Sequence, residues 1–130
     1  MFFIGKLTSG LYSGITLFGK DSEEYSKLFS DVITSYCHTS TIQINKGNNK
    51  EALEALFEAK EISETFELGF FPEPFALILN HIGCVYRKLG KAKHALYFLQ
   101  EAEALVNKAN LKNIAGSTFL NLCSVTSLLG

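Results

Sequence analysis

The chain has no surplus of charge of either sign: 12 Lys and Arg stand against 13 Asp and Glu in 130 residues, a formal net charge of −1. No Lys/Arg-rich run gathers the basic side chains, so the broad positive field that attracts nucleic acid is missing. Cysteine is scarce. Cys37, Cys84 and Cys123 are odd in number and widely, unequally spaced, which excludes the disulfide framework of a small secreted domain and points to reduced thiols in a cytoplasmic setting. Nowhere do the ~18 to 20 apolar residues of a membrane span run together, so no membrane partner is expected. The motifs that carry chemistry are also absent. There is no C-x-x-C, H-x-x-x-H, phosphate-cradling glycine loop, G-x-S-x-G elbow or acid/base pair, and the chain is expected not to be an enzyme and to need no cofactor.

The nearest approach to a metal site is His81 with Cys84, one helical turn apart, joined from a neighbouring helix by Cys37 or His38. Zinc sites announce themselves as tight Cys/His pairs in two places, so no metal is expected. A catalytic role for Cys84 has no better support, because a nucleophilic thiol needs a lowered pKa and an oriented base.

What is present is helical periodicity. With 47% hydrophobic and 19% charged residues, the chain has the composition of one folded domain. Pro72 and Pro74 mark a helix entrance near Glu73 or Pro74, since a first-turn proline lacks only a donor the helix leaves unpaired. Leu79, Ile82, Cys84, Val85, Tyr86 and Leu89 then recur at helical spacing, and Gly90 supplies the left-handed stop. A second amphipathic run follows at once, with Ala95, Leu96, Leu99, Ala102 and Leu105 in one stripe. Its alanines permit close approach of the two backbones.

The same unit occurs upstream. Placing Gly47 over Gly90 aligns GNNKEALEALFEAKEI with GKAKHALYFLQEAEAL, identical at seven of sixteen positions, and placing Gly90 over Gly130 puts Phe119, Leu122 and Leu129 over Leu79, Ile82 and Leu89. The two offsets are nearly equal. Upstream, Asp21 and Glu24 form a capping box, and a helix from about Ser22 to Ile44 or Lys46 buries Leu28, Phe29, Val32, Ile33 and Tyr36. Lys46 to Asn49 is its turn, with Gly47 as terminator and Asn48 or Asn49 capping a helix that runs to Leu68. The outer face of that helix holds Glu51, Glu54, Glu58, Lys60, Glu61 and Glu64. A solvated face is the default reading of such charge, an acidic docking surface the alternative. Downstream, Asn110 and Asn113 read as a turn and cap pair before a helix to Leu129.

Leu79, Ile82, Gly83 and Tyr86, followed by Ala95, Leu99 and Ala102, resemble the tetratricopeptide repeat. Both offsets exceed that family's common period of about 34 residues. They are similar to the extended repeats of kinesin light chains and polarity adaptor proteins. The LNH of Leu79 to His81 and the LNL of Leu120 to Leu122 partly match their helix signature. Leu79 stands where the family often has tryptophan, and Asn107 where a proline often ends the second helix. The resemblance implies an all-α fold of antiparallel helix hairpins stacked as a right-handed solenoid. The repeats would span 21–69, 73–109 and 111–130, the last a lone first helix. It further implies a concave groove lined by Leu77, Asn80, His81, Cys84, Arg87 and Lys88, with Ser117, Asn121 and Ser124 from the third repeat. Asn80 and Asn121 would hold the backbone of a bound peptide, while Arg87 and Lys88 select acidic segments. The alternative for Asn80 is pairing with polar groups of a neighbouring helix. The family's carboxylate clamp is not expected, since Cys37 and Thr41 occupy its positions.

Two other regions draw attention. Residues 1–20 interleave Gly5, Gly10, Gly14 and Gly19 with Phe2, Phe3, Leu11, Tyr12, Ile15, Leu17 and Phe18, a composition that weakens an isolated helix by about 1 kcal/mol per glycine. They read as an arm or irregular helix packed on the first repeat, as a docking arm that inserts into a neighbouring protein, or, least favoured because Lys6 interrupts the short apolar run, as a membrane or targeting segment. At the other end, a stacked repeat cannot bury its apolar face alone, so Phe119, Leu122, Val125 and Leu129 are expected to form an open interface covered by further repeats or by a partner. The function this predicts is a cytoplasmic, non-enzymatic adaptor or scaffold that binds a protein or peptide. The alternative is a structural subunit of a large cytoskeletal or ciliary assembly, held by neighbouring subunits through the arm and the open end.

Overall fold

The computed structural model describes residues 23–65 and 72–129. The arm at 1–20, the cap at Asp21, the Phe70 and Phe71 linker and Gly130 lie outside the described residues. Within them the fold is all-helical, with no strand: α1 Glu23–Asn45, α2 Asn49–Thr65, α3 Pro72–Lys88, α4 Ala92–Ala109 and α5 Lys112–Leu129. No helix among the described residues is long and apolar enough to cross a membrane.

One turn design recurs three times. After α1, Gly47 adopts φ 80° and the Asn48 N–H donates back five residues to Gln43 O at 2.8 Å. Gly90 (φ 77°) with Lys91 donating to Tyr86 O, and Asn110 (φ 55°) with Leu111 donating to Val106 O, repeat the geometry. This closes the otherwise unpaired carbonyls at each helix end. The third turn uses asparagine, the residue that best tolerates the left-handed region after glycine. Each donor residue also opens the next helix, because the carbonyls of Asn48, Lys91 and Leu111 accept from Ala52, Ala95 and Ala115. Asn48 thus caps with its backbone, and its side-chain amide donates to Gln43 Oε1 at 2.9 Å instead. Asn113, expected as a cap, lies inside the first turn of α5, with Leu111 in the capping place.

Consecutive helices pack on one another, and α1 meets α3 as α3 meets α5. Around the α3–α4 turn, Tyr86 faces His94 with ring centroids 5.2 Å apart, while Gly83 lies against Leu99 farther from it, so the two helices fold back on each other. Val106 with Ile114 near the next turn, and Leu99 with Val125 away from it, give α4 and α5 the same relation. Asn80 bonds Thr118 and Arg87 bonds Ser124; the partners advance together, so α3 and α5 run in one direction.

The largest core joins Tyr25, Phe29, Ile33 and Tyr36 of α1 to Ala52, Leu56 and Ala59 of α2 and Ile78, Ile82 and Val85 of α3. The positions that align in sequence share their burial: Ala52 with Ala95, Leu56 with Leu99, and Ala59 with Ala102 are all fully buried. Phe57, Tyr86 and Phe98 tie α2, α3 and α4 together. Tyr86 stacks on Phe98 at 5.7 Å, and Phe57 meets Phe98 edge-on at the same distance, both favoured ring geometries. The sequence-expected stripe is corrected at Leu89, which is exposed at the start of the turn.

Candidate functional site

The residues nominated for the groove divide between two environments. Asn80 is only 4% exposed and sits in the seam between α3 and α5. Its Nδ2 donates to Thr118 Oγ1 at 2.7 Å and to Ala76 O at 3.2 Å, and its Oδ1 accepts from Asn121 Nδ2 at 3.3 Å. Thr118 completes the chain by donating to Ile114 O at 2.9 Å. Both donors of the Asn80 amide are therefore used inside the protein, the arrangement a buried amide requires. At the far end of the seam Arg87 Nη1 donates to Ser124 Oγ at 3.0 Å. Four nominated residues, Asn80, Asn121, Arg87 and Ser124, thus hold α5 to α3. Thr118, which the sequence reading did not single out, is the fifth member.

The other nominated residues line no shared cluster of chemistry. His81 is half-buried, and burial pushes its imidazole below the ordinary value near 6.5. Burial likewise raises the Cys84 thiol, against the opposing pull of Arg87 and Lys88, and pushes Cys37 up to about 12, a direction opposite to that of an activated thiol. Lys88 and Ser117 are exposed, Ser117 donating to Ile114 O at 3.1 Å. Among the described residues no three His, Cys, Asp or Glu side chains are grouped to hold a metal ion.

The His81 shift has a testable consequence. A histidine whose folded-state pKa lies below its unfolded value supports the fold above the unfolded pKa, and that support is lost as pH falls toward the folded value. The urea midpoint is therefore expected to fall between pH 7.5 and 5.5, and His81→Gln to flatten that part of the profile. An unchanged slope in the variant would place the pH dependence elsewhere.

A hollow of about 340 Å³ opens between the middle of α1 and the first two turns of α3 and α5. Ser30, Glu73 and Asn113 line it from α1, α3 and α5. Each stands from the next at one of the two offsets that align the sequence with itself. Thr34 and Leu77 are paired by the first offset, Pro74 and Ile114 by the second, and Ile33 completes the floor. Leu77 is among the residues that the sequence resemblance assigns to a groove. Stepping from it one repeat upstream gives Thr34, which lines the hollow, while one repeat downstream gives Ser117, which does not.

The open-end residues also divide. Val125 is fully buried against Ala95 and Leu99, and Leu122 packs beside it. Six residues along a helix bring a side chain round by about 240°, so Val125 cannot share a face with Phe119. Phe119 and Leu129 are 63% and 43% exposed, and Leu120 and Leu128, at 68% and 64%, join them on the surface. On α2, Leu53 and Phe57 floor a second, shallower hollow edged by Glu54, Glu58 and Glu61. Burial raises the Glu58 carboxyl, and its two acidic neighbours raise it further.

Compared with models of known protein families the chain matches none, and no curated protein shows significant similarity to it.

Proposed function

We propose that the chain is a non-enzymatic protein-interaction module of the tetratricopeptide kind, a stack of helix hairpins that holds a segment of a partner protein against α1, α3 and α5. The observation that carries this reading is the hollow between those helices, lined at sequence-equivalent positions of all three. Side-by-side helices that repeat the same lining offer an extended segment one continuous wall, the usual geometry of stacked-repeat binding surfaces. The free state of Cys37, Cys84 and Cys123 suits a reducing, cytoplasmic setting. The test is capture of partners from source lysate by the wild-type chain and by Thr34→Arg, which fills the hollow from an exposed position. A partner identified by mass spectrometry and lost from the variant supports the groove. A partner retained equally by both removes it.

A second reading is favoured by the exposed Phe119, Leu120, Leu128 and Leu129 of α5. Large apolar side chains left in solvent along one helix are available for contact with another protein, which would make the chain a structural subunit, of a cytoskeletal or ciliary assembly. Under that reading Phe119→Asp abolishes assembly and Thr34→Arg leaves it intact.

A further inference from the structure

We infer that the hollow between the middle of α1 and the first turns of α3 and α5 receives a lysine or arginine side chain of the bound segment. This rests on the groove reading above and adds the chemistry of what the groove selects. The floor is apolar, made by Ile33, Leu77 and Ile114, and the rim carries the hydroxyl of Thr34 and the amide of Asn113. Among the described residues lining it, Glu73 is the single charged one.

This combination discriminates among side chains. An aliphatic or aromatic residue would satisfy the floor but would cover the Glu73 carboxylate without supplying a partner, and a desolvated, unpaired charge is costly. An acidic residue would meet Glu73 with like charge. Lysine and arginine carry an apolar stem ending in a cation. The stem lies along Leu77 and Ile114 while the head reaches Glu73 and the polar rim. Lys112, exposed on the same turn of α5 as Asn113, does not line the hollow, and its presence beside the site disfavours a second basic residue next to the first. The hollow, at about 340 Å³, has room for one long side chain with the backbone that bears it. The selected segment thus carries one basic residue with no second basic residue beside it.

The experiment is selection of a displayed library of random twelve-residue peptides on the full chain. Fluorescence anisotropy then follows with a synthetic copy of the best binder and with that copy carrying norleucine at its basic position. The expected result is one lysine or arginine fixed among the selected peptides. The norleucine copy and the Glu73→Gln variant are each expected to weaken binding about five- to tenfold, and the two together to do no more than either alone. Peptides that bind, are lost from Thr34→Arg, yet need no basic residue and ignore Glu73→Gln would overturn this inference and leave the groove standing. Failure to select any peptide, or binding indifferent to Thr34→Arg, would remove both.

Discussion

Leu99→Ala is expected to destabilise the fold by about 3 to 5 kcal/mol, the upper part of the range for large-to-small changes in a sealed core. Leu99 is fully buried and packs with Ala95 and Val125, so the vacated space would be bounded by α3, α4 and α5 at once. Gly83 of α3 lies against it: a Cβ there would lie 2.5 Å from Leu99 Cγ and 2.7 Å from Cδ2. Cγ is the branch point of the side chain, so clearing the contact takes a χ1 change that carries both methyl groups with it. Gly83→Ala alone is therefore expected to destabilise through overpacking, even though alanine is favoured over glycine in a helix by about 1 kcal/mol. In the Leu99→Ala background the obstruction is gone. There the same Gly83→Ala change is expected to reverse sign and recover part of the loss, measured as urea midpoints of the four proteins in the cycle. Additive effects would mean that α3 and α4 are not held at the separation this contact defines.

Much of this was legible in advance because it depends on single residues with strong local rules. Gly47 and Gly90 fixed two turns, since few residues other than glycine reach their φ values of 80° and 77° without strain, and the prolines placed the start of α3 within two residues. The burial of Ala52, Leu56 and Ala59 followed from the self-alignment, as the periodicity of one copy predicts the other. Reading Asn110 as part of a turn was also sound. Its role as the left-handed stop is less visible, because asparagine serves turns, caps and helix surfaces alike.

The site was less legible, for a geometric reason. Residues on a helix wheel can be assigned an angle, but the angle at which the next-but-one helix arrives is a tertiary property. Asn80 and His81 are adjacent, so they differ by about 100° around α3. That is enough for one to be sealed against α5 while the other stays half-buried. The same kind of difference separates Val125, inside, from Phe119, outside. The hollow itself lies at the first turns of α3 and α5, beside the middle of α1, whereas a signature centred on Leu79 to His81 draws the eye further along α3. Glu73, read only as a helix-entrance residue, became a candidate ligand contact once α1 and α5 were placed beside it.

Asn80 joins α3 to α5, and Asn80→Leu is expected to cost about 2 to 3 kcal/mol by removing its bonds to Thr118 and Asn121 inside the sealed seam. Thr118→Val, which removes the acceptor on the other side and fills nearly the same volume, should cost about 1 to 2 kcal/mol on its own. The double variant is expected to cost less than the sum, by about 1 kcal/mol or more, because the second substitution strands no polar partner that the first had not already stranded. Hydrogen exchange should report the loss chiefly in α5, whose attachment elsewhere rests on the Arg87–Ser124 bond and on two small apolar clusters around Val106 with Ile114 and Leu99 with Val125. A residue whose only role was to hold a bound peptide would behave differently. Its replacement would leave the urea midpoint and the α5 exchange rates unchanged and lower affinity alone, and Asn80 would then have to be returned to the groove.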